Sequence, residues 1–155
     1  MTAGVSSRGK LRYRLESGLE RLTPAERAER GKAARAEVPR ESHALFDQGP
    51  DRADPIALLE EQAKSRVPDL MPIRRGRMMV SPFTFYRGAA LPIASDLAHT
   101  PVSGLAVQAC GDAHLSNFGL FGSAERRLMF DVNDFDETVP GPWEWDVKRL
   151  AASME

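Results

Sequence analysis

The chain has 155 residues, 42% hydrophobic and 28% charged, with a formal net charge of −1, which excludes a wholly disordered polymer and sizes it for about one domain. No apolar run approaches the roughly 18–20 residues that cross a bilayer, so an integral membrane protein is not expected. Met1 to Arg14 has no apolar centre, so no secretory leader is expected, and the single cysteine, Cys110, leaves no internal disulfide; a cytoplasmic, reducing compartment fits best.

The near-neutral total hides a gradient. Residues 1–50 carry a net +3, residues 51–100 +1 and residues 101–155 −5. Clustered carboxylates repel one another unless a cation, a metal or protonation offsets them.

Residues 1–37, rich in Arg, Glu and Ala, read as a charged helical arm. Thr23-Pro24-Ala25-Glu26 is a helix start, with Thr23 as N-cap, Pro24 at the first position and Glu26 closing a capping box. A helix over 24–37 follows. Glutamates interleave with its arginines and no aromatics join them, so nucleic acid is not expected as a partner. Residues 38–55 hold three prolines and read as an extended connector. Asp54-Pro55 then opens a short helix, Ile56 to Arg66. Residues 73–80 read as a strand or a loop. Arg74, Arg75 and Arg77 in it read as solvent-facing, with a phosphate contact as the alternative. The chain turns apolar from Pro82, and a helix is expected from about Gly88 to Leu97, with Pro92 as kink or start. Leu105–Cys110 and Leu128–Val132 read as buried strands, and Trp143–Ser153 as a helix on which Asp146 would brace the preceding loop. The fold class is therefore α+β.

The chemistry concentrates in Cys110-Gly-Asp-Ala-His-Leu-Ser-Asn-Phe-Gly119 and in Leu128-Met-Phe-Asp-Val-Asn-Asp-Phe-Asp-Glu137. Polar groups just past strand ends form a rim where ligands bind. Asp112 and Asn117 can face one site because an irregular loop lets residues five apart converge. Asp131 or Asp134 can join them from the second strand. Aspartate and asparagine oxygens are hard donors that suit Mg²⁺, which keeps its other positions for water and phosphate oxygens. The chemistry this implies is phosphoryl transfer. Arg87 and His114 are candidates for substrate or phosphate contact, with packing inside the loop as the plainer role for His114. An alternative binuclear metallophosphoesterase reading of Asp112-Ala-His114 lacks the further blocks it requires, and His43 and His99 stand in unsuitable contexts.

G-D-x-H-x-x-N followed by a strand ending in Asp resembles the catalytic core of the kinase-like superfamily, most nearly the aminoglycoside phosphotransferases and choline kinases. On that resemblance Asp112 corresponds to the catalytic base and Asn117 to a metal ligand. Asp131 corresponds to the second metal ligand because it directly follows the strand, with Asp134 as its competitor. Cys110 stands where the bacterial motif has histidine. The runs RRGRMMVSPFTFYRGAA, PVSGLAVQACGDAHLSNFGLFGS and RLMFDVNDFDETVPGPWEWDVKRLAAS resemble domain-of-unknown-function family 2252 over roughly residues 20–155.

The resemblance implies a partial protein-kinase-like fold in 38–155, the catalytic-loop region of the larger lobe. It also implies a Mg²⁺-dependent phosphotransferase with ATP and a small-molecule hydroxyl as partners. Members are usually longer, so the chain reads as the N-terminal part of one. No GxGxxG occurs, and Lys148 is the only lysine after Lys64. The nucleotide cradle is then expected further C-terminal, and an inactive remnant that only binds or packs is the competing expectation.

Overall fold

The computed structural model describes residues 22–47 and 49–155. Helix α1 spans Pro24–Glu37. Its capping box is present: Thr23 Oγ1 accepts from the Glu26 N–H at 3.3 Å, and the Glu26 carboxylate accepts from the Thr23 N–H at 2.7 Å. The remainder of the expected arm, residues 1–21, lies outside the described residues. The connector carries one 3₁₀ turn, Arg40–Ala44. Helix α2, Pro55–Ala63, starts on Asp54, whose carboxylate accepts from the Ile56 N–H at 2.9 Å. It ends three residues before the expected Arg66.

The next segment departs from expectation, and the one after it does so in part: the helix expected from about Gly88 to Leu97 is present as Ala90–Leu97, but a further helix precedes it. Residues 73–78, expected as strand or loop, are helical: helix α3 spans Met71–Met78, and only Met79 and Val80 are a turn. Pro72 sits in its first turn, where a missing N–H costs nothing, and packing against the following helix outweighs the β-like run Met78-Met79-Val80. The apolar stretch after Pro82 is two helices, α4 over Pro82–Gly88 and α5 over Ala90–Leu97. A second capping box, Ser81 with Thr84, starts α4.

Strand β1 is Ala106–Ala109, β2 Phe118–Gly122, β3 Leu128–Val132 and β4 Val139–Pro142, followed by helix α6 over Trp143–Ala152. They form two antiparallel pairs. One is β1 with β4, from Ala106↔Pro142 to Ala109↔Val139. The other is the β2–β3 hairpin, from Phe118↔Val132 to Gly122↔Leu128. The mixed helix and sheet composition agrees with α+β. No helix of the described residues is long and apolar enough to cross a membrane.

The interior is small and polar. Among the described residues Ala89, Pro92, Ala109, Cys110, Ala113 and Pro142 are buried, and so are the polar His114, Asn117, Glu144, Arg149 and Ser153. β3 is not the buried strand its sequence suggests: Leu128 is 75% and Phe130 68% exposed. Its apolar side chains belong to a hairpin whose faces meet solvent.

Candidate functional site

The site is assembled on α6. A helix start leaves backbone donors unpaired, and here its side chains reach back to satisfy those of earlier loops. Glu144 Oε1 accepts from the Ser103 N–H at 2.7 Å. Lys148 Nζ donates to Thr100 Oγ1 at 2.7 Å, and burial lowers its pKa. Asp146 accepts from the N–H of Cys110 at 2.7 Å and of Gly111 at 3.1 Å, the bracing expected from the sequence. Just past the helix, Ser153 Oγ accepts from the Leu115 N–H at 2.9 Å.

Gly111 makes the turn out of β1. Its φ is +81°, and a Cβ there would sit 2.2 Å from the Glu137 carbonyl oxygen. Only glycine fits both conditions. The chain then folds on itself. The His114 N–H donates to the Asp112 carbonyl at 2.8 Å and the Asn117 N–H to the His114 carbonyl at 2.9 Å. Asn117 Nδ2 also donates to the Asp112 carbonyl, at 2.8 Å.

Asp112 is held by Arg149. The Arg149 Nε donates to Asp112 Oδ1 at 2.8 Å, and a terminal guanidinium nitrogen binds the same oxygen. Arg149 is 2% exposed. Its guanidinium carbon lies 4.7 Å from the Tyr86 ring centre, and it donates to the Tyr86 carbonyl at 3.1 Å. The Tyr86 hydroxyl in turn donates to the Arg149 carbonyl at 2.7 Å. A buried guanidinium needs such partners; Nε and Nη2 have them, while Nη1 is buried without a hydrogen bond among the described residues.

The Asp112 Oδ2 stands 3.6 Å from His114 Nε2, beyond hydrogen-bond reach. His114 is 2% exposed, packs edge-on to Phe83 at 6.2 Å, and has no hydrogen bond at Nδ1. Burial lowers its pKa, against the opposing pull of Asp112. Burial likewise raises the Cys110 thiol, which donates to the Asp134 carbonyl at 3.5 Å. It is therefore no activated nucleophile.

A cavity of about 970 Å³ opens in front of this loop. Asp112, His114, Asn117, Asp134 and Arg87 all line it. Asp131 is not among the lining residues; it is exposed, and its Oδ1 accepts from the Val132 N–H at 2.7 Å. The structure therefore brings five of the six sequence candidates to one cavity, and of the two competing aspartates it is Asp134 that reaches it. Arg74 and Arg77, read as solvent-facing, also line it, whereas Arg75 does not.

Mg²⁺ takes oxygen donors, usually one or two carboxylates completed by water and phosphate. The Asn117 amide oxygen and the Asp134 carboxylate are donors of that kind. The Asp112 Oδ1 is spent on Arg149. Among the described residues no group of three His, Cys, Asp or Glu is gathered closely enough to hold a metal. Such an ion would thus rely on oxygens from a ligand.

Sequence reasoning misses Arg149. A signal was there: it lies three residues after Asp146, on the same helical face, so a helix that braces the loop with one presents the other to it.

A family model described as an uncharacterized protein conserved in bacteria (DUF2252) matches residues 66–155. No curated protein and no solved structure matches the chain.

Proposed function

The chain belongs to domain-of-unknown-function family 2252, and from that premise we propose that its cavity is the centre of a Mg²⁺-dependent phosphotransferase acting on a small-molecule hydroxyl. One observation carries the reading: Asp112, Asn117 and Asp134, from two separate loops, line one cavity together with arginines. Phosphoryl transfer asks for little besides positioning and charge neutralisation. Asp112 is positioned: Arg149 fixes one carboxylate oxygen, and the other is left to accept the proton of the attacking hydroxyl. Asn117 and Asp134 would hold the ion, which when bound neutralises charge on phosphate oxygens. Arg87 would add fixed positive charge on the same wall. The kinase-like fold is part of this proposal and rests on the motif G-D-x-H-x-x-N.

Calorimetry with ATP and Mg²⁺ tests it. Binding that disappears in EDTA and falls about tenfold or more in Asp134→Ala, with the fold retained, supports the reading. A second reading is a remnant that binds or packs without catalysis. It is favoured by Lys148, whose amine is spent on Thr100 and the Pro101 carbonyl. A folded chain that takes up no Mg²⁺ and ATP would support the remnant.

A further inference from the structure

Because α3 is a helix, Arg74 and Arg77 share a face, while Arg75 turns outward and donates to Glu60 at 2.7 and 2.8 Å. Arg74 and Arg77 line the cavity, and Arg87 joins them from α4. Arg66 also lines it, meeting Glu137 at 3.5 Å. Among the described residues no carboxylate lies within ion-pair distance of Arg74, Arg77 or Arg87. Arg74 donates only to the Gly88 carbonyl, at 3.0 Å. Burial, then the neighbouring Arg66, hold its pKa below the usual arginine range.

Like charges gathered around one cavity repel unless something opposes them. Four acids line the same cavity: Asp112 is committed to Arg149 and Glu137 to Arg66, whereas Asp134 and Asp136 balance part of the arginine charge without an ion-pair contact among the described residues. Arg77 and Arg87, in the last turns of α3 and α4, suit the negative helix ends. That effect needs no shared cavity, and the outward Arg75 meets it as well.

We propose that Arg74, Arg77 and Arg87 form a binding site for a compact oxyanion, a phosphate or carboxylate group carried by the acceptor substrate. The proposal rests on the phosphotransferase reading for the term acceptor, and on the arginine placement alone for the anion. Guanidinium groups grip such oxyanions with paired donors. The nucleotide phosphates would go instead to the ion-holding side, Asn117 and Asp134.

Calorimetry on the full chain in EDTA, with inorganic phosphate in one arm and acetate in the other, tests the site. At least one anion should bind, more weakly as salt rises, and the tighter one identifies the group recognised. Arg77→Ala and Arg87→Ala should each weaken binding about tenfold. Arg75→Ala should leave it unchanged. Arg77→Lys keeps the charge but not the paired donors and should also weaken it, which guards against a folding artefact. No anion binding, or equal losses in Arg75→Ala and Arg77→Ala, overturns the site. Repeating the titration with saturating Mg²⁺ and ATP separates the two claims. Anion binding that persists supports an acceptor site, whereas displacement by the nucleotide overturns it. If arginine-dependent binding stands but Mg²⁺ and ATP never bind, the phosphotransferase reading fails and the anion site survives.

Discussion

Arg149 donates to Asp112 Oδ1 through Nε at 2.8 Å, with side-chain exposures of 2% and 17%. The pair joins α6 to the loop after β1 in a place where water screens little. Removing one partner of a buried pair leaves the other charge stranded. Arg149→Met should therefore cost about 3–5 kcal/mol of unfolding free energy. The double variant Asp112→Ala with Arg149→Met should cost less than the sum of the single changes by about 1–3 kcal/mol. Urea titrations of the four proteins check this, and strict additivity would refute the coupling.

Asp146 holds the same loop by its backbone. With Asp146→Ala, the N–H groups of Cys110 and Gly111 lose a charged acceptor. A loss of about 2–4 kcal/mol is expected, with faster hydrogen exchange at those two amides. Asp146→Asn, which keeps one acceptor oxygen, should recover part of it.

Two glycines give a contrast. Gly111→Ala must adopt a left-handed backbone and meet the Glu137 carbonyl. It should destabilise by at least about 2 kcal/mol. Gly122, at the end of β2, has no positive φ, and a methyl group added there would meet nothing within 4 Å. Gly122→Ala should stay within about 0.5 kcal/mol of the parent. Thermal melts of both decide it.

His114 makes stability depend on pH. Its folded pKa is lowered by burial, with Arg149 and Arg87 adding to the effect and Asp112 opposing it. The unfolded chain therefore takes up this proton first as pH falls, at about pH 6.5. The contribution is full above that value and is lost as pH drops toward the lowered folded pKa. Urea midpoints should fall across this window in the parent and fall less in His114→Gln. Parallel curves would remove His114 as the cause.

Much of the fold could be read in the residues themselves. Thr23 to Glu26 and Asp54-Pro55 announce helices through local capping, and local chemistry survives in any tertiary setting. β1 and β3 were legible as apolar runs with polar ends, and α6 as a helix. α3 was not, because Gly76 and the Met78-Met79-Val80 run favour extended structure locally while the deciding packing against α4 is not local. β4 hid behind Pro140, Gly141 and Pro142, residues that elsewhere end strands but are tolerated on a strand paired along one side. In the site, Asp112, Asn117, His114 and Asp134 stood out through their spacing, and Asp146 through its place on α6. Arg149 is one basic residue among many until the helix is docked. That Asp134 lines the cavity and Asp131 does not could not be read from their spacing, because it depends on how the chain runs on after β3.

The bonds that tie the Cys110–Asn117 loop to α6 and Ser153 join residues 35 to 38 positions apart. A chain made from its N-terminus releases the loop well before the helix that gives it form. Until Trp143–Ala152 emerges, Asp112 has no guanidinium and Gly111 no carboxylate to settle against. Helix α6 is thus a latch: the cavity acquires its chemistry only once this helix has followed the loop out of the ribosome.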